Sequence, residues 1–244
     1  MIWTNRRCDS ALNTAPGSRT AAFAPLVPMG HHRQSTMFIR LLIAAAIGAA
    51  LYQHFGKTAL PDFAAATSAL PSFEFSPGLR TAIDPIQKSA AGTPKLRFEK
   101  YLITPLASFQ VAGRVLGAKH YRADREAGLA PVDLAMGWGP MADPTILNSI
   151  DISQSGRFYY WRVNEFPIPR AAITEHSANM HLIPASPEVA AQVAAVEEGQ
   201  KVRFKGYLVK IESDDGWRWK SSMTRKDHGA GACEVVLVDA LETL

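Results

Sequence analysis

Apolar and polar residues alternate through the second half of the chain. In KVRFKGYLVKIES, residues 201–213, Val202 and Phe204 alternate with charged residues, and the apolar phase changes near Gly206. A period of two predicts a β-strand, and the glycine predicts a bend within that strand. Similar patterns predict further strands in residues 108–121, 156–163, 217–222 and 233–241. This part of the chain is therefore predicted to be mainly β.

One short helix and one tight turn punctuate these strands. Ser186 is a good N-cap and Pro187 suits the first helical turn, so the segment that follows is predicted to be helical until Gly199. The pair Asp215-Gly216 predicts a two-residue hairpin turn between the strand 201–213 and WRWKSS.

The order of three strands, one helix and two strands resembles the five-stranded barrel of the OB type, in which a helix closes one end between the third and fourth strands. The resemblance covers roughly residues 108–241 and implies a mainly β (α+β) fold. The phrases GWGPMADPTILNSIDISQSGRFYYW, HSANMHLIPA and GAGACEVV are also similar to those of exported bacterial proteins of unassigned activity. Such a family implies no catalytic residues for this chain.

The first 92 residues have a different character. Residues 37–55, MFIRLLIAAAIGAALYQHF, combine one arginine with a run of twelve apolar or glycine residues, which predicts a signal anchor helix or a signal peptide. We favour the uncleaved anchor, with a buried helix of a soluble domain as the alternative. Residues 1–36 are predicted to be a disordered leader that precedes the true start at Met37. Residues 56–92, rich in Pro, Ala and Ser, are predicted to be a linker, so the domain spans 93–244.

Composition and charge narrow the class of protein. The chain is 47% hydrophobic, an ordinary globular value that excludes disorder throughout. Its net charge of +4 is uneven, because residues 93–244 hold 18 Lys and Arg against 18 Asp and Glu. A whole-domain basic field for nucleic acid is therefore excluded. Two cysteines, Cys8 and Cys233, provide no disulfide framework, and Cys233 is expected to point into the barrel.

Residues 123–150 interrupt the strand pattern with several prolines and glycines, which predicts a long insertion. Trp138 stands between two glycines of this insertion. It is predicted to be a hydrophobic plug that closes the barrel, and the alternative is an exposed platform for a ligand.

The segment HSANMHLIP carries polar residues on both faces of a predicted strand, which is inconsistent with a simple core strand. Its candidates for ligand binding are His176, Asn179 and His181. In the OB arrangement, the loop TRKDHGAGA would face them with Arg225, Asp227 and His228 and form a polar pocket for a small anionic or glycan-like ligand. The alternative is that Asn179 and His181 only fix the strand-to-helix corner.

Three other kinds of site are weaker interpretations. A metal site would need three or four of His176, His181, His228 and Cys233 to converge, and no such convergence is predicted. A thiol nucleophile at Cys233 with His228 as base lacks a supporting motif. The strands 201–220 interleave basic residues with aromatic ones, as single-strand nucleic-acid binders do, but acidic residues interrupt the stripe and favour a solvated face.

We therefore expect a membrane-anchored extracytoplasmic module for binding or assembly, without a metal or cofactor, rather than an enzyme. Its expected partners are the membrane, through the N-terminal segment, and a small ligand or an envelope protein, with no nucleic acid. The expected location is the inner membrane, with a single pass and the C-terminal domain in the periplasm or outside the cell. A metal- or thiol-dependent enzyme and a single-strand nucleic-acid-binding OB protein are the alternatives.

Overall fold

The computed structural model describes residues 64–227, 229 and 231–244. The strands in this part are β1 Ile86–Ser89, β2 Leu96–Phe98, β3 Tyr101–His120, β4 Val132–Gly137, β5 Asp151–Ser155, β6 Phe158–Arg162, β7 Ser177–Pro184, β8 Lys201–Ser213, β9 Arg218–Lys220 and β10 Glu234–Thr243. The α-helices are short: α1 Ala64–Thr67, α2 Pro144–Leu147, α3 Arg170–Glu175 and α4 Pro187–Ala194, with a 3₁₀ turn at Gly139–Ala142. The predicted mainly β class is confirmed.

Eight of these strands form one large sheet. Its neighbours follow the order β1-β3-β4-β7-β10-β8-β9, and β2 also pairs with β3. The long strand β3 pairs with β8 as well, so the path through β4, β7, β10 and β8 returns to β3. The β7–β10 pair is parallel and the other pairs of this path are antiparallel. Strands β5 and β6 form a separate hairpin.

Alternate residues of the five strands in this path form the largest core. Phe109, Leu134, Met180, Phe204 and Val236 are each fully buried in it. Helix α4 covers part of this core with Val189 and Val193. The opposite faces of the strands are covered too, by two further apolar clusters that involve the segments before β3 and between β4 and β7. Both faces of several strands are therefore shielded from water.

The second strand of the path differs from the prediction. It is β4, from the segment predicted to be an insertion, whereas the predicted strand at residues 156–163 becomes β6 and pairs with β5 in a separate hairpin. Val132, Leu134 and Met136 alternate as a strand requires, but all six residues of β4 are buried. Because both faces are covered, the polar alternation that marks a half-exposed strand is weak there.

The local signals around α4 and β8 hold. Ser186 Oγ accepts a hydrogen bond from Val189 N at 3.3 Å as the N-cap of α4, although the helix ends at Ala194, before the predicted stop at Gly199. The predicted hairpin after β8 is confirmed, but its loop has three residues, because Glu212 pairs with Arg218 and Ser213 N donates to Trp217 O. Gly216 closes that loop with a φ of +86°.

Part of the predicted linker is built into the sheet. Ile86–Ser89 forms β1 and pairs with β3, and Leu79 and Ala90 are buried. Residues 70–76 also lie against β8, and we call them the strap. The expectation that residues up to 92 form only a linker is corrected, because their apolar residues have no fixed period and yet cover the outside of the sheet.

No helix within the described residues has the length and apolar character needed to cross a membrane. The predicted leader and anchor, residues 1–36 and 37–55, lie outside the described part of the chain.

Candidate functional site

A buried polar cluster lies on the outer face of β4 and β7. Its centre is Asp133, which is fully buried. The β4–β7 pairing sets His181 directly opposite Asp133 and Asn179 opposite Ala135, so the two predicted candidates share one face with the carboxylate. The face is covered by the β5–β6 hairpin, whose tip residue is Arg157.

Arg157 ties this hairpin to three parts of the chain. Its guanidinium donates to both carboxylate oxygens of Asp124 at 2.8 and 2.6 Å, to Ala130 O at 2.8 Å and to Asp133 Oδ1 at 2.8 Å. The Tyr121 ring lies 3.7 Å from its central carbon, which adds a cation–π contact. Burial lowers the pKa of Arg157, but the hydrogen bonds and charges of the two aspartates outweigh it and raise that pKa. The same hydrogen bonds lower the pKa of Asp124.

The backbone of Arg157 is in an unusual conformation. Its φ is +69°, in the left-handed region, and the preceding Gly156 has a φ of +56°. Two consecutive residues with positive φ form the tight turn of a β-hairpin. A non-glycine residue there is uncommon, and the many bonds of its side chain compensate for the backbone strain.

Asn179 belongs to the same cluster. Its side-chain nitrogen donates to Arg157 O at 2.9 Å, and its oxygen accepts from Gln154 Nε2 at 2.8 Å. The hairpin therefore holds both ends of the amide, which agrees with the alternative in which Asn179 has a scaffolding role.

His181 is buried between Asp133 and Trp219. Its Nδ1 lies 2.9 Å from Asp133 Oδ1, but the atoms are not aligned as a hydrogen bond, so the contact is electrostatic only. The Trp219 ring centre lies 4.9 Å from the imidazole centre. His181 and Arg157 thus both lie against the same buried carboxylate oxygen, Asp133 Oδ1.

Cys233 lies beside this cluster and not in the main core. Its Sγ is 3.8 Å from Arg157 O. The expectation that it points into the barrel is wrong, because the alternation along β10 directs Val236 and Val238 into the main core and leaves Cys233 on the other face. Burial, helped by the charges of Glu234 and Asp133, raises the pKa of the thiol to about 12. A thiolate nucleophile at neutral pH is therefore disfavoured.

Trp138 and His176 lie at the end of the sheet opposite α4. Trp138 is fully buried, as the plug interpretation predicts, and its Nε1 donates to Asp84 Oδ1 at 3.1 Å. His176 Nδ1 lies 2.8 Å from Ala172 O, so this nitrogen carries the proton and donates. Its Nε2 is 3.8 Å from Asp84 Oδ1, too far for a hydrogen bond.

Arg225 also reaches this end of the sheet. Its guanidinium lies 5.6 Å from the Phe109 ring centre, and its Nε is 2.8 Å from Glu234 Oε1. These atoms are not aligned as a hydrogen bond, and both carboxyl oxygens of Glu234 are buried without a hydrogen-bond partner among the described residues. Burial raises the pKa of Glu234 to about 8, with Arg225 opposing the effect.

The predicted pocket is thus distributed over three places. Asn179 and His181 join Asp133, Arg225 joins Glu234, and His176 joins the Trp138 corner. Asp227 accepts a hydrogen bond from Ser222 Oγ at 2.7 Å. His228 lies outside the described residues. Among those that are described, no hydrogen bond or ion pair joins Arg225 or Asp227 to the three candidates of HSANMHLIP.

A stripe of basic and aromatic side chains on β8 lies under the strap. Tyr207 Oη donates to Pro71 O at 2.6 Å, Lys205 Nζ donates to Phe73 O, and Ser76 N donates to Gln110 Oε1 at 2.8 Å. The Phe75 ring centre lies 4.5 Å from the Arg203 guanidinium carbon. The predicted solvated face is wrong for this part of β8, because the strap covers it.

No group of three or more potential metal ligands occurs in residues 64–227, 229 and 231–244. A shallow groove of about 420 Å³ lies between the end of α4 and the end of β10, lined in part by Gln192, Val196 and Glu242. None of the predicted site residues lines this groove.

The residues that sequence reasoning missed are Asp133, Arg157 and Glu234. Asp133 and Glu234 are charged residues at the start of predominantly apolar strands, a position where charge is costly unless paired. Arg157 follows Ser155-Gly156, a dipeptide typical of turns, and nothing else in the local sequence distinguishes it. Charge within an apolar run was therefore the usable signal for the first two.

Comparison with known proteins adds no relative to this description. No family model matches the chain, and neither the curated proteins nor the solved structures include a match.

Proposed function

We propose that the chain is a binding and assembly module of the OB type, displayed outside the cytoplasmic membrane on an N-terminal anchor. The observation that carries the proposal is the strand path that returns from β8 to β3, with β7 and β10 parallel and α4 between β7 and β8. This is the strand order and helix position of a five-stranded OB barrel. We interpret the large sheet as such a closed barrel.

The contacts support binding through surfaces rather than in a closed polar pocket. Asn179 is buried under the hairpin, and His181 is buried between Asp133 and Trp219. These side chains are therefore not accessible to a small ligand. Phe166, in the segment between β6 and α3, is 52% exposed. Fold alone does not define function. The burial of these two polar candidates favours a macromolecular partner, an envelope protein, over a small ligand.

The location half of the proposal is tested by fractionating bacterial cells that express the full chain. We expect the chain in the membrane pellet and digestion of its domain by protease added to spheroplasts. A variant without residues 37–55 is the matched control and should lose membrane association. Recovery of the full chain in the soluble cytoplasmic fraction would refute this half.

The binding half is tested by photo-crosslinking in cells. The crosslinking amino acid is placed at exposed Glu74 within the strap, at exposed Phe166, and, as a control, at exposed Leu244. An assembly module should give a discrete adduct with one envelope protein at Glu74 or Phe166 and none at Leu244. Absence of an adduct at both test positions, or the same adduct at Leu244, would contradict the proposal.

A further inference from the structure

The strap is bound to β8 and β3 in the way that a peptide is bound in a groove. Three side chains of the sheet, Tyr207, Lys205 and Gln110, make hydrogen bonds with its backbone. All three are buried, at 8% exposure or less, so the strap covers them. Contacts of this kind recognise a main chain and tolerate changes in the peptide's side chains.

Two aromatic residues of the strap supply the side-chain contacts. The Phe73 ring meets the Tyr207 ring edge-on, with centres 5.7 Å apart and an interplanar angle of 89°. Lys205 Nζ lies 5.5 Å from the ring centres of both Phe73 and Phe75. Arg203 stacks on Phe75, and Glu74 between the two aromatic residues is exposed. The groove therefore fits aromatic side chains at positions i and i+2.

The groove belongs to the sheet and does not depend on the strap for its shape. Arg203, Lys205 and Tyr207 alternate along β8, which is paired on one side with β3 and on the other with β10. Removal of the strap would expose Lys205 and Tyr207 to water, and Lys205 would keep Asp239 Oδ2 within 3.5 Å. No unpaired charge would stay buried, so opening the groove avoids the largest electrostatic cost.

We propose that this groove binds an extended segment of a partner protein with aromatic residues at positions i and i+2, and that the strap is its competitor within the same chain. The proposal deepens the assembly role described above and rests on it. Release of the seven strap residues would lengthen the connection to the preceding chain by up to about 23 Å, at about 3.3 Å per extended residue. Partner binding would thereby change the reach of the domain.

Peptide chemistry explains the groove better than nucleic acid does. Basic and aromatic side chains on an OB face can also hold single-stranded nucleic acid. However, Gln110 Oε1 accepts from a backbone N–H of the strap, and a phosphodiester has no such donor. The net-neutral domain also lacks the long-range attraction that nucleic-acid binders use.

The test uses the full chain with Phe73→Ala and Phe75→Ala, which removes the two aromatic contacts of the competitor. A fluorescent peptide of residues 70–77, LPSFEFSP, is titrated and its anisotropy is measured. We expect saturable binding that is at least about tenfold tighter for the double variant than for the unmodified chain. The matched peptide LPSAEASP should bind at least about tenfold more weakly, and Lys205→Met in the double variant should weaken binding of LPSFEFSP.

The outcomes are separable. A folded double variant that fails to bind LPSFEFSP at about 1 mM, or that binds LPSAEASP equally well, overturns the proposal. Tighter binding of a single-stranded oligonucleotide, weakened steeply by salt, also overturns it. If the double variant does not fold, hydrogen exchange of the unmodified chain decides, because excess LPSFEFSP must accelerate exchange at the Ser76 amide and LPSAEASP must not. If the peptide does not bind the groove but crosslinking in cells gives a discrete adduct, the groove proposal is refuted and the assembly role is retained.

Discussion

Replacement of Glu234 by Gln should change how the stability of the domain depends on pH. Glu234 is fully buried and its pKa is raised from 4.5 to about 8, mainly by burial. Arg225 Nε lies only 2.8 Å away but is not aligned as a donor, so its attraction reduces the rise without removing it. The folded chain therefore retains the Glu234 proton over a pH range in which the unfolded chain loses it.

The sign and size follow from this difference in proton binding. Below pH 4.5, Glu234 is protonated in both states, and its full contribution to the free energy of unfolding is present. As the pH rises toward about 8 the unfolded state gains by ionising, so this contribution is lost progressively. At about 1.4 kcal/mol per pH unit, the loss over the whole range is on the order of 5 kcal/mol. Glutamine cannot ionise, so Glu234→Gln should lack this loss.

Urea denaturation of both proteins at several pH values from 5 to 9 measures the effect. The free energy of unfolding of Glu234→Gln, minus that of the unmodified chain, should increase by about 3–4 kcal/mol between pH 5 and pH 8 and then level off. Glu242→Gln, which removes an exposed carboxyl that pairs with Arg203, is the control and should give a nearly constant difference. A constant difference for Glu234→Gln, or one that falls with pH, would refute the reasoning.

Three further perturbations test other contacts. Arg157→Ala should lower the free energy of unfolding by about 3–5 kcal/mol, because it leaves a buried carboxylate unpaired. Replacement of the exposed Arg162 by Ala is the control and should cost less than about 1 kcal/mol. Similar losses for the two variants in urea denaturation would contradict this prediction. Gly206→Ala should lower the melting temperature sharply, since its Cβ would lie 1.9 Å from a carbonyl oxygen of β10, and an unchanged melting temperature would exclude that close approach. In a Cys8→Ser chain, thiol reagents at pH 8 should label Cys233 only after unfolding, because its pKa is raised to about 12, and rapid labelling of the folded chain would count against this environment.

The elements with strong local chemistry were predictable from the sequence. The α4 start depends on Ser186 and Pro187, and the hairpin after β8 depends on Gly216, so both signals reside in a few adjacent residues. Strand β4 was not recognised because it is short and its apolar residues lie between a proline and a glycine, which indicate a loop. The sequence alone could not resolve which of two neighbouring segments enters the large sheet.

The candidate site was predictable only in part, for a physical reason. The polar density of HSANMHLIP correctly indicated a departure from a plain core strand, and Asn179 and His181 do lie in a polar cluster. Their partners Asp133 and Arg157 are brought to them by strand pairing and hairpin docking, and no local pattern encodes that distance. The contacts of the strap with β8 were not predicted for the same reason, because the strap has no regular pattern of apolar residues.

The proposed OB barrel has segments of its own chain on two outer faces, and the contacts indicate which segment can leave first. The β5–β6 hairpin covers the β4–β7 face, where OB barrels commonly bind ligands. Arg157, whose side chain is only 13% exposed, holds this hairpin with four hydrogen bonds from its guanidinium. Departure of the hairpin would leave the buried Asp133 without this charged partner. The strap is held by neutral or single charge-assisted hydrogen bonds, and its release lets Lys205 meet water. Since an unpaired buried charge costs far more than a lost hydrogen bond, we expect the proposed partner to reach β8 more readily than β4 and β7.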